Sequence, residues 1–246
     1  MPLIASDGSS LGSFDGEARK AEGPGAYGVV IQFEADHPKA PGFTQTLTGG
    51  RPRTTTGDIE LRGFLCALET IRDFKEALEA DPDNALMAPG DHFTIVLDSE
   101  YVLNSFNDHL SNWEANRWRT NGSRAIKHQV LWQEVADLRD EIGDIVSLVH
   151  QKGHTKRATD TDLDPFVEIN DRADIAAGIA SRAMRDTGYV PIPHPIVWIH
   201  NAEAMPERQT DIRKLTALAE RILTRHGRQA AVEAFMKATH NTGIRE

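Results

Sequence analysis

Residues 93–102 read FTIVLDSEYV. Phe93–Leu97 is a five-residue apolar run with β-branched members, too short for a helix and suited to a buried strand. Asp98 ends it, and Ser99–Phe106 continues with helical character. Open α/β sheets are built from strands that turn into helices, and they gather functional groups where strands end.

The pattern extends outward in both directions. Leu3–Ser6 is a short apolar run that stops at Asp7. Ala26–Phe33 (AYGVVIQF) is a stronger strand, rich in β-branched residues, and Gln45–Gly49 makes a third after the loop HPKAPG. Ile59–Ala80 is expected to be a helix, with Leu61, Leu65, Leu68 and Ile71 at three- and four-residue spacing, stopped by ADPDNALMAPGD. Downstream, Val130–Ile142 reads as a helix, Ile145–His150 (IVSLVH) as a fifth strand, and Ile169–Met184 as a closing helix. Early strands that pair as hairpins, then strands separated by helices, predict a mixed sheet with helices on its faces.

The proline-rich stretch Val190–Pro195 (VPIPHP) marks the expected domain boundary, giving a catalytic domain at 1–188 and a connector with a helical extension at 189–246. In that tail Ile212, Leu215, Leu218, Ile222 and Leu223 line one helical face, Gly227 can end the helix, and Gln229–Thr239 suits a second one. Such an apolar stripe is expected to dock on the core or to self-associate.

Composition permits a soluble globular enzyme without naming it. The 246 residues are 39% hydrophobic and 26% charged, ordinary values. No apolar run approaches the roughly 20 residues that cross a bilayer, so no membrane partner is expected. The N-terminus lacks the basic start and long apolar stretch of a signal peptide. One cysteine, Cys66, excludes a disulfide framework and points to a reducing, cytoplasmic setting. The net charge of −10 runs against a simple electrostatic case for nucleic acid. It is uneven: residues 189–246 carry +2 and the remainder −12.

Three acids fall where a site could form: Asp7 and Asp98 at strand ends, and Glu60 at the start of the long helix. They can meet only if the first and fourth strands are neighbours, which a helical crossover permits; Asp174 on the last helix could approach the same point. Taken singly, each acid has a plainer role as a cap, a turn residue or a first-turn complement to the helix dipole. Converging acids repel unless a cation neutralises them. All-oxygen donors favour Mg²⁺ or Mn²⁺, and two such ions suit in-line phosphodiester hydrolysis.

The segments ASDGS (5–9), GPGAYGVVI (23–31), RTTTGDIEL (53–61), LDSEYV (97–102), NWEANRWRT (112–120), LWQEV (131–135), KGH (152–154) and NDRADIAA (170–177) occur in this order. Together they closely resemble the type 1 ribonuclease H family over roughly residues 1–186. The resemblance implies an α/β ribonuclease H-like fold, a five-stranded mixed sheet flanked by helices, here with a C-terminal helical extension. It implies an endonuclease that hydrolyses the RNA strand of RNA/DNA hybrids and leaves 5′-phosphate and 3′-hydroxyl ends. On matching positions, Asp7, Glu60, Asp98 and Asp174 are the metal ligands, with Asp7 shared by both ions, and His154 is the catalytic histidine. Arg53 and Thr55 match a DNA-phosphate pocket, Ser10 a minor-groove contact, and Trp113 and Trp118 the protrusion that grips the DNA strand.

The sequence departs from the family pattern in several places. Thr56 and Gly57 stand where two asparagines are usual, Glu114, Ala115 and Asn116 replace a basic cluster, and Glu100 replaces a glutamine. The interval from His154 to Asp174 is long and acidic, and reads as a loop. These departures keep two other readings open: a related nuclease acting on another duplex, and a catalytically silent nucleic-acid-binding module.

Overall fold

The computed structural model describes residues 1–14, 19–20, 22–120, 122, 124–152, 164–190 and 194–198, within a compact unit spanning Met1–Ile199. His154 and the two helices expected in the tail lie outside the described residues. Among those described, no helix is long and apolar enough to cross a membrane.

The central sheet has five strands. In chain order they are β1 (Leu3–Ser10), β4 (Gly23–Gln32), β5 (Thr44–Thr54), β6 (Phe93–Leu97) and β7 (Val146–His150), arranged β5-β4-β1-β6-β7. Between β1 and β4, Ser13–Phe14 (β2) pairs with Arg19–Lys20 (β3) as a separate two-stranded piece. β4 runs antiparallel to both β1 and β5, whereas β6 runs parallel to both β1 and β7. The mixed sheet expected from the sequence is thus present, and the first and fourth of its strands in chain order are neighbours, with Ile4 opposite Ile95 and Ser6 opposite Leu97.

Helix α1 (Thr56–Ala80) makes the crossover between β1 and β6 possible. It begins three residues before the apolar repeat because Thr55 caps it, the Thr55 hydroxyl accepting from Asp58 N at 3.2 Å. Ile59, Leu61, Phe64, Leu68, Ile71 and Phe74 are fully buried on its inner face. Phe33, Phe74 and Phe93 pack edge-to-face and stacked beneath it, with centroids 5.5–6.2 Å apart. The other face of the sheet is covered by α5 (Pro165–Thr187), whose Ile169 and Ala173 pack on Ala5, Val30 and Val96.

Several boundaries differ from expectation, each for a local reason. β1 continues through Asp7 to Ser10, because β4 supplies antiparallel partners beyond the point where β6 ends. β5 runs on to Thr54 through Gly49, Gly50 and Pro52; it is an edge strand, where proline removes no needed hydrogen bond. α5 starts at Pro165 rather than Ile169: Asp164 caps it through Phe166 N, and proline occupies the first turn. The acids Asp164 and Glu168, read as loop, therefore belong to a helix start, where they complement its dipole.

The helix expected over Ser99–Phe106 is longer and interrupted: α2 (Glu100–Asn104), a π-helical turn (Ser105–His109) and α3 (Leu110–Ala115) follow one another. α4 (Gln129–Ile142) then leads to β7, with Gly143 at φ 74° ending it.

Residues 194–198 of the connector lie against the sheet unit. The Gln45 side chain donates to His194 O at 3.1 Å and accepts from Ile196 N at 2.9 Å. Leu86 N donates to Val197 O, and Ala85 forms a β-bridge with Trp198.

Candidate active site

Asp7 sits in β1 just past Ser6, the last residue of β1 in register with β6, and Asp98 directly follows Leu97, the partner of Ser6. The parallel pairing therefore brings the two acids level. Alternate strand residues face opposite sides, so Asp7 shares the α5 face with Ala5. Gly28, its partner on β4, lets α5 close in: a Cβ there would stand 2.6 Å from Ala173 O and 2.7 Å from Ala177 N. That contact brings Asp174 down over Asp7. The neighbouring Gly8 faces α1, where a Cβ would stand 2.6 Å from Glu60 N. The N-terminal part of α1 thus presses on β1 and delivers Glu60 from the opposite side of the sheet.

The electrostatics record this convergence. Asp7 is 7% exposed, and its pKa is pushed up to about 8, first by burial, then by Asp98, with Asp174 and Glu60 adding to it. The Gly8 amide, donating to Asp7 Oδ1 at 2.6 Å, pulls the other way. Glu60 is also raised, chiefly by burial and then by Asp98, against a hydrogen bond from Ser99 and the charge of Lys127. The three other sequence-derived acids thus all act on Asp7. Among the described residues, however, no three His, Cys, Asp or Glu side chains form a ready-made metal cage. Carboxylates gathered in this way repel one another when ionised, and a cation among them would offset that repulsion. The donor set fits a hard divalent cation in chemistry: oxygen only, with Asp7 held where ionisation needs a positive neighbour.

The residues matched to substrate contacts fall in two groups, Ser10, Arg53 and Thr55 near the ends of β1 and β5 and Trp113 and Trp118 in and after α3. Ser10 Oγ reaches Thr54 O at 3.5 Å, so β1 and the end of β5 are tied beside the acids. Thr55 caps α1. Arg53 is exposed and paired with Glu22 at 2.5 Å. Asp58 accepts from Thr54 Oγ1 and Arg62, which outweigh burial and hold its carboxyl below the usual range.

Trp113 packs edge-on against Trp132, whose indole donates to the Tyr101 hydroxyl at 3.0 Å, and His109 lies on its other side. It is therefore part of an aromatic cluster as well as a half-exposed surface. Trp118 is half-exposed at the turn after α3, where Arg117 and Trp118 both have positive φ, 52° and 59°. Glu114, an acid in place of a basic residue, accepts from Arg139 of α4 through both carboxylate oxygens. Its charge is thus matched internally rather than turned on a phosphate.

Sequence reasoning passed over Ser99, Tyr101, Lys127 and the Glu114–Arg139 pair. Ser99 alone carried a signal, as a hydroxyl residue between an acid and a helix.

The RNase H family model matches residues 4–182. The ribonuclease H of Thermosynechococcus vestitus is 31% identical over 140 residues, 57% of this chain and 74% of that protein. That of Nitrosomonas eutropha is 32% identical over 126 residues, 50% and 67% of the two chains. Among solved structures, LC9-RNase H1, described as a type 1 RNase H with the type 2 active-site motif, superimposes with a TM-score of 0.51 at 22% identity, over 78% of each chain. A foamy viral protease–reverse transcriptase, solved in complex with RNA/DNA hybrid, gives 0.50 at 18% identity, over 73% of this chain and 20% of its own. The structures share the fold, and the sequence match spans the sheet and every acid that bears on Asp7. The chain belongs to the RNase H family and is a ribonuclease H.

Proposed function

We propose that the protein hydrolyses the RNA strand of RNA/DNA hybrids, leaving 5′-phosphate and 3′-hydroxyl ends, with Mg²⁺, or Mn²⁺ in its place, held by Asp7, Glu60, Asp98 and Asp174. The observation that carries this reading is the Asp7 carboxyl at the end of a parallel strand pair, raised by burial and then by the three other acids that converge on it. A pair of divalent ions there would supply an activated water and a counter-charge for the leaving oxygen. Asp7 occupies the centre, and the other three acids surround it from β6, α1 and α5. In this reading Ser10, Arg53 and Thr55 contact the hybrid from the β1–β5 end, and Trp113 and Trp118 contact it from α3 and the turn after it. Hybrids display 2′-hydroxyls in a wide, shallow minor groove, which suits a rim of small polar residues. His154, beyond the described residues, is assigned the proton-handling step by its KGH context, and histidine titrates in the right range.

The test is cleavage of an end-labelled RNA/DNA hybrid with Mg²⁺ or Mn²⁺. Wild type is expected to cut the RNA strand, and Asp7→Asn and Asp98→Asn to leave it intact. Equal cutting of double-stranded DNA would defeat the substrate assignment, and undiminished cutting by Asp98→Asn the ligand assignment. Hybrid binding without cutting would instead favour a silent binding module.

A further inference from the structure

In sequence, Ser99 opens a helix and nothing more. In the structure its hydroxyl has two partners. Oγ accepts from Val102 N at 3.3 Å, capping α2, and donates to Glu60 Oε2 at 2.7 Å. The residue is 9% exposed, directly follows Asp98, and reaches an acid 39 positions away. A serine hydroxyl has one proton to give. With the lone pair turned to the helix amide, that proton is directed at the Glu60 carboxylate. That hydrogen bond anchors Oε2 and so fixes the rotation of the Glu60 carboxylate.

We propose that Ser99 is a positioning residue of the active site: its hydroxyl fixes the orientation of the Glu60 carboxylate toward Asp7 and Asp98, and so the way Glu60 is presented to a cation. The inference rests on the proposed metal-dependent function. Partners behind a ligand set ligand geometry, and their loss lowers metal affinity. Because Ser99 adjoins Asp98, the hydrogen bond also ties the end of β6 to the N-terminal part of α1, and two of the four acids keep a fixed relation without a cation.

The test must separate this role from helix capping. Glycine is nearly as good an N-cap as serine but has no hydroxyl, while threonine keeps both functions. Mn²⁺ binding is measured on the full chain by electron paramagnetic resonance, beside kcat and KM on a labelled hybrid and melting temperature. Ser99→Gly is expected to bind Mn²⁺ roughly 10–100-fold more weakly and to lose kcat, with KM for the hybrid unchanged. Ser99→Thr should restore both. In a Glu60→Gln background, Ser99→Gly should have no further effect on Mn²⁺ binding.

Unchanged Mn²⁺ affinity in Ser99→Gly overturns the inference, as does a loss equal in Gly and Thr variants that tracks melting temperature. An undiminished Ser99→Gly effect in the Glu60→Gln background overturns it too. Wild type that neither binds Mn²⁺ nor cuts hybrid would remove the functional reading itself, a result distinguishable from these.

Discussion

At Asp7 a carboxyl that ionises near 3.8 in an unfolded chain is shifted to about 8 by burial and by Asp98, Asp174 and Glu60. A folded pKa raised above the unfolded value contributes stability that is whole below about pH 4 and is lost as pH climbs through about 8. In EDTA, the melting temperature is therefore expected to fall between pH 5 and pH 9. Asp7→Asn should flatten that slope and raise the melting temperature at pH 8, by roughly 2–4 °C per kcal/mol recovered, while reducing hybrid cutting to background. Added Mg²⁺ should protect wild type and leave Asp7→Asn unmoved. A wild-type curve flat across this range without cations would refute the account. Asp7 and Asp98 were legible in sequence because both interrupt apolar runs. The Ser99–Glu60 bond was not: no local pattern encodes a contact between residues 39 apart.

Among the elements, the close approach of two helices to the sheet depends on single missing side chains. Gly28→Ala would put a methyl group 2.6 Å from Ala173 O. Overpacking of this kind costs about 1–3 kcal/mol, and α5 would have to lift, carrying Asp174 from Asp7. We expect a lower melting temperature together with a fall in kcat that exceeds the fall in folded fraction; loss of stability with kcat intact would mean that α5 does not set the site.

The Glu114–Arg139 pair makes a second element-level prediction. Arg139→Ala should loosen α3 against α4, leaving the Trp113–Trp132 contact, and raise KM for hybrid several-fold, with kcat little changed, checked by steady-state kinetics. Periodicity gave α4, β6 and β7 nearly to the residue, and the end but not the capped start of α1. β1 and β5 read short, since an aspartate, glycines and a proline break the pattern where neighbouring strands still supply partners. The π-helical turn at Ser105–His109 left no periodic trace. The start of α5 was available in the Asp164–Pro165 pair but was outweighed by the acidic run around it.

For the whole molecule, the connector is the least expected feature. Gln45 grips His194 and Ile196 from the edge strand, and Leu86 and Ala85 meet Val197 and Trp198. A chain ending at residue 190 should melt lower than one ending at 199, and Gln45→Ala should cost about 1–2 kcal/mol through its two hydrogen bonds, both measured by thermal denaturation. Equal melting of the two truncated chains would show the strap to be passive. Sequence marked 190–195 by its prolines, but proline richness says only that a segment is neither helix nor central strand, not what it leans on. The placement of α5 has a different outcome. Asp174 lies in the last described helix, while Asp7, Glu60 and Asp98 all precede β7. A backbone break between His150 and Asp164 would leave three of the acids on one fragment and the fourth on the other. Each half alone would be inert toward hybrid, and cutting would switch on only when the two recombine, which makes the interval a natural seam for a complementation reporter.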